Sequence, residues 1–201
     1  MLFENDPLEK IDLGLPDATV YYYPNFISPG RATTIFKTLL KETDWQQDDI
    51  TVFGKTYPQP RLTALFGENA NPYTYSNITM HPVSFPKILI PLKNKVEQIT
   101  GKKFTTCLAN LYRNGQDSNG WHADNEKELG AEPVIASVSF GAGRNFHLKH
   151  RTRKDLKRKV ELTHGSLLIM QGKTQTHWLH QISKTKKLVS ERINLTFRVI
   201  K

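Results

Sequence analysis

The sequence predicts a mostly β, α+β fold: a double-sheet barrel with two helices from the first half of the chain packed outside it. Two observations predict this class. Seven short runs rich in β-branched and aromatic residues lie between residues 104 and 200, and two earlier segments show the apolar spacing of helices. Strands that bury one face need a second layer, so many strands after two helices favour paired sheets. A chain of 201 residues fits one domain with a substantial core.

Two amphipathic helices are predicted before the strands. The first covers about residues 28–42 and opens with a serine N-cap and Pro29 at the first helical position. Its apolar face consists of Ile35, Phe36, Leu39 and Leu40. The second covers roughly residues 86–100, with Gly101 placed to end it. Pro91 must lie in the first turns of this helix or kink it.

Seven strands are predicted after the second helix, because each run is short, apolar and bounded by turn residues. They cover Phe104–Tyr112, Val134–Phe140, Asn145–Lys149, Lys159–Leu162, Ser166–Met170, Thr176–Ile182 and Ile193–Ile200. Cys107 is the sole cysteine of the sequence and is predicted to be a core residue. A lone cysteine has no internal disulfide partner, which fits a reducing compartment.

The charge balance favours polyanionic partners. Lys and Arg outnumber Asp and Glu by 28 to 19, a formal net charge of +9, and such an excess attracts phosphates through counterion release. Seven of the eleven residues from Lys149 to Lys159 are basic; a solvated loop is the alternative interpretation of this run. The first twenty residues carry five carboxylates and no apolar run. We therefore expect no secretory signal, no membrane partner and an intracellular protein, cytoplasmic in a bacterium or nuclear in a eukaryote.

Three polar residues in the last third of the chain have the pattern of a metal site. His122 and Asp124 are two residues apart, so an extended backbone places both side chains on one side. Two imidazoles and a carboxylate can hold one face of an iron ion and leave the other face for reactants. The third ligand would be His177 or His180, which would point to opposite faces of a strand. The residues alone leave both open.

Two arginines, Arg192 and Arg198, bracket the last predicted strand core. A guanidinium pairs bidentately with a carboxylate, so two of them beside a metal would anchor a dianionic co-substrate such as 2-oxoglutarate. Taken alone, they would be interpreted as two exposed strand charges. Next to a complete set of metal ligands, they favour oxygen chemistry.

In this order the motifs resemble those of the AlkB family, Fe(II)- and 2-oxoglutarate-dependent dioxygenases that oxidatively dealkylate nucleic-acid bases. The motifs are Pro60–Ala64, Pro72–Ser76, Asn110–Tyr112, His122–Asp124, Ile135–Ala142, His164–Met170, His177–His180 and Arg192–Arg198. The family's double-stranded β-helix, or jelly roll, agrees with the predicted fold class. The resemblance implies one dioxygenase domain over residues 1–201. Residues 1–103 would supply helices and a nucleotide-recognition lid, and residues 104–201 the jelly-roll catalytic core.

The resemblance also implies Fe(II), 2-oxoglutarate as co-substrate, O₂, and ascorbate as reductant in vitro. The family's third metal ligand follows a Trp by two residues, which selects His180 and leaves His177 at a polar rim. Arg192 is expected to pair with the distal carboxylate of 2-oxoglutarate, and Arg198 to act as a catalytic residue near the other carboxylate. Further co-substrate contacts are expected from Asn110, Tyr112 and Asn194.

Alkylated DNA, duplex or single-stranded, is the partner that the resemblance implies. An enzyme that modifies a base must extrude it, and Arg61 and Tyr75 match positions near the family's base pocket. Val52-Phe53-Gly54 resembles the hydrophobic finger of duplex-acting members; a hairpin with Phe53 tucked inward is an equal alternative. The remaining predicted nucleic-acid contacts are Arg151, Arg153 and Lys154, in the basic run.

Other aromatic residues, Phe66, Tyr73 and Trp121, are interpreted as core. One position departs from the closest relatives, in which a second aspartate follows the metal-binding one. Here that residue is Asn125, which we also assign to the catalytic set. Its amide oxygen can accept a hydrogen bond, but it lacks the charge that would favour a cationic lesion such as 1-methyladenine or 3-methylcytosine. Glu126 is the alternative source of that charge.

The expected function is direct-reversal DNA repair by oxidative demethylation of N-alkylated bases, carried out by a monomer. An RNA demethylase with the same chemistry is the nearest alternative. A catalytically silent nucleic-acid-binding module and a dioxygenase acting on protein are the others. The complete set of metal ligands argues against the first of these two, and the basic run against the second.

Overall fold

The computed structural model describes residues 8–52, 54–69, 73–75 and 78–200. Both predicted helices are present. Helix α1 covers Pro29–Glu42, and helix α2 covers Ile90–Thr100 after a 3₁₀ turn at Lys87–Leu89. Pro91 lies in the first turn of α2, where its missing N–H has no helical partner to lose. In the described ranges, no helix has the length and apolar character that a bilayer-spanning segment needs.

Sixteen strands lie in the described part of the chain. They are β1 Ile11–Asp12, β2 Thr19–Tyr23, β3 Asp49–Val52, β4 Lys55–Pro58, β5 Leu62–Gly67, β6 Tyr73–Tyr75, β7 Ile78–Met80, β8 Val83–Ser84, β9 Thr106–Tyr112, β10 Asn119–His122, β11 Ile135–Gly141, β12 Arg144–His150, β13 Lys157–Leu162, β14 Leu167–Gln171, β15 Trp178–Ile182 and β16 Arg192–Arg198. A single helical turn, α3, covers Thr174–His177. Hairpins β3–β4 and β6–β7 form two small separate sheets.

The large sheet has eight strands in the order β1-β2-β14-β11-β16-β9-β5-β8, all antiparallel except the β5–β8 pair. One face of it is covered by the two helices. Ile35 and Leu39 of α1, together with Leu92 and Val96 of α2, join one buried cluster with the sheet residues. The helices therefore pack outside the barrel, as predicted.

The other face of the large sheet looks toward a four-stranded sheet of order β10-β15-β12-β13. A second core fills the space between the sheets, where Tyr22, Ile135 and Met170 of the large sheet meet Phe146 and Trp178 of the small one. Two facing antiparallel sheets with this strand order form the jelly roll that the sequence predicts. The site described below lies between these sheets.

All seven predicted strands are present, with shifted ends. The expectation that residues 176–182 form one strand is wrong at its start, because Thr176 and His177 belong to α3. The chain turns at Gly172, which has a φ of +56°, and the Thr174 hydroxyl donates to the Gln171 carbonyl at 2.6 Å, which begins the helical turn. Strand β10 and the large-sheet strands of the first hundred residues were not among the predicted elements.

The predicted core aromatics have different outcomes. Phe66 is buried, as expected. Trp121 is 39% exposed, so the prediction that it belongs to the core is wrong. It lies on β10, at the edge of the small sheet, and its neighbour His122 takes the inward position, which turns Trp121 outward. The side chain of Tyr73 lies outside the described residues.

Candidate metal and co-substrate site

Strands β10 and β15 bring two histidine rings into contact, with their planes 63° apart. They pair antiparallel with His122 directly opposite His180, and the ring centroids are 4.3 Å apart. Asp124 follows two residues after the end of β10. One ligand atom from each of these three residues lies within 4.8 Å of the others. The spacing fits a single bound metal ion.

Asp124 is held from two directions. Its backbone N–H donates to Oε1 of Gln175 in α3 at 3.0 Å, and its Oδ1 accepts from Nη2 of Arg198 at 2.8 Å. The Asp124 side chain is buried. Because a buried carboxylate is stabilised by a close guanidinium, its orientation toward the two histidines is fixed before any ligand binds.

The three residues have the protonation states that a cation requires. Burial by itself would raise the pKa of Asp124, but Arg198 and the two imidazoles outweigh it and lower that pKa to about 2. Burial, followed by the positive field of His122, lowers the pKa of His180 to about 3. Burial also lowers the pKa of His122. At neutral pH the site therefore offers a carboxylate and two neutral imidazoles.

His177 lies outside this group. It ends α3, and its ring stacks on that of His150 with centroids 5.8 Å apart and planes 13° apart. The alternative raised by the sequence, two histidines on opposite faces of one strand, does not arise, since His177 precedes β15. The structure brings His180, and not His177, to His122 and Asp124.

Arg192 is a buried cation with unused hydrogen-bond donors. It is 1% exposed, and its Nη2 donates to Ser139 Oγ at 2.9 Å. Its Nε and Nη1 find no hydrogen-bond partner among the described residues. Burial lowers the pKa of Arg192 to about 10, so the guanidinium remains charged at neutral pH. Arg198 is buried too, and the alternative that both arginines are exposed strand charges is wrong.

The predicted metal and co-substrate residues line one cavity between the two sheets. All eight contribute to its wall: Asn110, Tyr112, His122, Asp124, His180, Arg192, Asn194 and Arg198. The Tyr112 ring lies 5.1 Å from the centre of the Arg192 guanidinium. The cavity thus holds the three candidate metal ligands at one place and the Arg192 guanidinium at another. A carboxylate between them would satisfy the buried Arg192 nitrogens.

Several supporting residues were not predicted. Ser139 is bonded to Arg192, Ser137 Oγ accepts from Asn194 Nδ2 at 2.7 Å, and Gln175 holds Asp124. The two serines had a sequence signal, since they alternate with apolar residues in β11 and therefore share one face of a buried strand. Gln175 had none, because its partner lies 51 residues away.

Arg61 is buried and bonded to a residue of the cavity wall. It is 4% exposed, its Nε donates to Asn110 Oδ1 at 2.8 Å, and its Nη1 donates to the Ser118 carbonyl at 3.3 Å. Burial and these bonds orient Arg61 toward Asn110, and its contact with nucleic acid stays a prediction. Its role in the structure is to hold Asn110.

The other predicted nucleic-acid residues lie on hairpins. Arg151, Arg153 and Lys154 are exposed on the turn between β12 and β13, and Arg153 Nη1 is 3.7 Å from Asp17 Oδ2. Gly54 is exposed in the β3–β4 turn with a φ of +75°. Val52 ends β3 and Tyr75 ends β6, while the side chains of both and all of Phe53 lie outside the described residues. The finger therefore stays a prediction.

Asn125 and Glu126 differ in burial. Asn125 is exposed, whereas Oε2 of Glu126 is buried without a hydrogen-bond partner in the described structure. Burial, together with the nearby charge of Asp124, raises the pKa of Glu126. Glu126 lies two residues from Asp124 and is not among the residues that line the cavity.

Comparison with known proteins identifies the class that this fold and site define. The family model of the 2OG-Fe(II) oxygenase superfamily matches residues 19–198. Two solved structures share the fold. OsALKBH1 has a TM-score of 0.67 at 20% identity, covering 96% of this chain and 100% of that chain. A prolyl hydroxylase from Trichoplax adhaerens has a TM-score of 0.63 at 11% identity, covering 90% of this chain and 83% of that chain.

Curated relatives narrow the class. The human alpha-ketoglutarate-dependent dioxygenase alkB homolog 3 is 43% identical over 90% of this chain, and the bovine one is 43% identical over 88%. This chain covers 66% and 64% of those two proteins, so it spans slightly less than two thirds of their length. The human DNA oxidative demethylase ALKBH2 is 37% identical over 89% of this chain and 72% of its own length. The chain belongs to the 2OG-Fe(II) oxygenase superfamily and, within it, to the AlkB family.

Proposed function

We propose that this protein is an Fe(II)- and 2-oxoglutarate-dependent oxidative demethylase of N-alkylated bases in DNA. The observation that carries the proposal is the pairing of two features in one cavity. One is the group of His122, Asp124 and His180. The other is Arg192, a buried cation with two donor nitrogens that have no acceptor among the described residues. The first suits an iron ion, and the second suits a carboxylate of the co-substrate.

The residues would divide the work as follows. Fe(II) with 2-oxoglutarate and O₂ supplies a two-electron oxidation that turns a methyl group on a base nitrogen into a hydroxymethyl group, which leaves as formaldehyde, while 2-oxoglutarate becomes succinate and CO₂. His122, Asp124 and His180 would hold the iron. Arg192 would bind the distal carboxylate of 2-oxoglutarate. Arg198 would keep Asp124 ionised and oriented through their 2.8 Å bond.

The remaining side chains of the cavity would position the co-substrate and exclude water. Asn110 is fixed by Arg61, and Asn194 by Ser137, so the two amides have set orientations. Tyr112 lies against Arg192. Apolar residues of both sheets complete the wall and keep its dielectric low, which strengthens the contacts of Arg192: Leu108, Phe146, Leu162, Met170 and Ile182.

Glu126 is our candidate for reading the base. Its buried Oε2 has no hydrogen-bond partner in the part of the chain that the structure describes, and the amino group of a methylated adenine or cytosine is a donor that would supply one. Asn125 is exposed and lacks charge, which assigns it a smaller part in lesion choice. We therefore expect 1-methyladenine and 3-methylcytosine to be substrates despite the missing second aspartate.

DNA is our choice of partner for two reasons. Several relatives are named DNA oxidative demethylases, and the chain has a net charge of +9 with exposed basic residues on the β12–β13 turn. Phe53 would act as the wedge that opens a duplex. The assignments to a monomer, to a single domain and to an intracellular compartment stay predictions.

The test is mass spectrometry of oligonucleotides incubated with the protein, Fe(II), ascorbate and 2-oxoglutarate. Single-stranded DNA, duplex DNA and RNA, each carrying 1-methyladenine or 3-methylcytosine, form separate arms. We expect loss of one methyl group and release of formaldehyde on DNA, and no reaction with an Asp124→Ala control. Demethylation of RNA alone would show that RNA, and not DNA, is the substrate. No reaction in any arm, with an iron-loaded protein, would overturn the proposal.

A further inference from the structure

The outer face of the four-stranded sheet carries an exposed tryptophan among unpaired lysines. Trp121 is 39% exposed on the edge strand β10. Lys149 of β12 reaches across the sheet and places its Nζ 4.3 Å from the centre of the Trp121 ring. A large aromatic side chain left this exposed beside a cation needs a reason, because folding alone would favour its burial.

The strand register adds further cations to the same face. Lys149 lies opposite Lys157, and His147 lies opposite Lys159, so these four side chains share the outward positions of β12 and β13. The inward positions between them hold buried residues, Phe146 and Leu148 on β12. Within the described structure, none of the three lysines forms an ion pair. Glu161 also takes an outward position of β13, opposite Asn145, so β12 and β13 present three lysines against one carboxylate and the face is positively charged on balance.

We propose that this surface, the Trp121 platform (Trp121, His147, Lys149, Lys157 and Lys159), binds an unpaired nucleotide flanking the base that enters the cavity. A base stacks on the Trp121 ring while the lysines meet the phosphates of the same strand. Stacking on an aromatic ring between cations is the usual mode of sequence-tolerant single-strand binding. The inference rests on the proposed function, since it assumes a nucleic-acid substrate.

The position of the platform relative to the cavity supports this occupant. His122 faces the cavity, and its neighbour Trp121 faces outward, so one strand, β10, forms both the cavity wall and the platform edge. Alternate residues of a strand are about 6.6 Å apart, which is comparable to the separation of successive phosphates in an extended nucleic-acid strand. Bases of an intact duplex are stacked on each other and cannot also stack on Trp121. Single-stranded nucleic acid is thus the occupant that uses both the ring and the lysines.

The test measures binding and needs no turnover. The full chain is titrated against fluorescently labelled, unmodified oligothymidine of about 20 nucleotides, without iron or 2-oxoglutarate, and against a duplex of equal length. We expect Trp121→Ala to raise the Kd for the single strand about tenfold, Trp121→Phe to restore most of the affinity, and the Kd for the duplex to change less than about twofold.

Salt dependence separates the two parts of the platform. Trp121→Ala should weaken binding and leave the salt slope unchanged, because it removes no charge. Lys149→Gln should lower the slope of log K against log salt by about 0.7, the value for one phosphate of a single strand. Lys102→Gln, an exposed lysine after α2 and far from this sheet in the fold, is the matched control and should change neither quantity.

An unchanged single-strand Kd in Trp121→Ala overturns the inference. So does an equal loss on single strand and duplex, or a loss that Trp121→Phe does not reverse, since either points to a disturbed fold. These results are independent of the proposed function. Wild-type protein that demethylates no oligonucleotide refutes the function even if the platform binds, and a failed platform leaves the demethylation result untouched.

Discussion

Two groups of charged side chains are buried on opposite faces of the large sheet. Only in the group around Glu97 do the buried charges pair with opposite charges of the described chain. On the helix side, Glu97 accepts from Lys93 Nζ at 2.6 Å, Lys103 Nζ at 2.9 Å and the Phe104 N–H at 2.9 Å. Lys93 also pairs with Glu68 at 2.8 Å. On the inner side, no carboxylate among the residues described pairs with Arg192. It contacts the Ser139 hydroxyl and Tyr112, and its Nε and Nη1 reach no acceptor at hydrogen-bond geometry in that part of the chain.

The difference separates structural from functional buried charge. A buried charge without partners costs several kcal/mol, and folding tolerates it only where some other need retains it. Glu97 satisfies its carboxylate within the chain and so needs no ligand. In the free protein, the burial of the Arg192 charge lowers the free energy of unfolding. A bound carboxylate would pair with the guanidinium and remove this destabilisation. The contrast between the two groups can be tested in order of expected effect.

The largest effect should come from the candidate metal ligands, which line the same cavity as Arg192. Asp124→Ala and His180→Ala should each lower turnover of methylated DNA at least about a hundredfold, because each removes a direct metal ligand. Fe(II) binding, followed by calorimetry under anaerobic conditions, should be lost in parallel. His177→Ala, a histidine three residues from His180, is the control and should keep most of its activity and metal binding. Reversed phenotypes for the two histidines would contradict the ligand assignment.

The next largest effect concerns stability and has opposite signs on the two faces. In urea unfolding without ligands, Glu97→Ala should lower the free energy of unfolding by about 3 kcal/mol. It removes the closer carboxylate of buried Lys93, which keeps its pair with Glu68, and it removes the acceptor of the buried Phe104 N–H. Arg192→Met should raise it by about 1–2 kcal/mol, since it removes an unsatisfied buried cation. Equal destabilisation by both changes would mean that the two groups do not differ as described.

Addition of ligand should reverse the ranking. Fe(II) with 2-oxoglutarate at about 100 times its Kd should stabilise the wild type by about 2.7 kcal/mol. Arg192→Met should lose this stabilisation by 2-oxoglutarate, while Glu97→Ala keeps it. Arg192→Lys should retain iron and bind 2-oxoglutarate more weakly, because an ammonium group lacks the planar fork.

A smaller effect should appear in the pH dependence of the stability that Glu97 contributes. Burial alone would raise the pKa of Glu97, but Lys93, Lys103 and the Phe104 N–H outweigh it, so the folded-state pKa lies below the usual 4.5. Its stabilisation is therefore complete above pH 4.5 and is lost as the pH falls through the folded-state value. The stability gap between wild type and Glu97→Gln, from urea curves at several pH values, should be constant near neutrality and narrow below about pH 4.5. A gap that widens in acid would show the opposite sign.

The smallest effect is expected from Ser139→Ala, which removes the hydrogen bond that Nη2 of Arg192 donates. We expect a loss of about 1 kcal/mol in 2-oxoglutarate binding, or roughly fivefold in Kd, with little change in iron binding. Ser166→Ala is a matched control: its hydroxyl is bonded to the Thr163 carbonyl on a loop outside the cavity wall. An equal loss in the control would assign the effect to general packing.

The parts of this molecule that local patterns encode were predictable. Strands such as β9 and β14 are short apolar runs, and His122 and Asp124 are only two residues apart, so both were read from the sequence. The short strand β2 was missed because its pairing partner β14 lies far along the chain. The exposure of Trp121 could have been deduced, since an inward His122 requires an outward neighbour in a strand.

The support of the site could not be deduced in this way. Ser139 meets Arg192 because β11 and β16 pair in a particular register, with Ser139 opposite Asn194. Gln175 reaches Asp124 only because a helical turn interrupts the predicted strand. Both contacts depend on long-range geometry that the sequence alone does not fix.

The small sheet also gives the metal-type residues unequal backbone support. His180 lies on β15, an inner strand with hydrogen-bonded neighbours on both sides, whereas His122 lies on the edge strand β10, whose ladder is interrupted by a register shift. Edge strands open locally more often than inner ones, so amide protons of β10 should exchange with solvent faster than those of β15. An ion shared by His122 and His180 would fasten the loose strand to the firm one. Metal binding would then slow the amide hydrogen exchange of β10 and leave that of β15 unchanged.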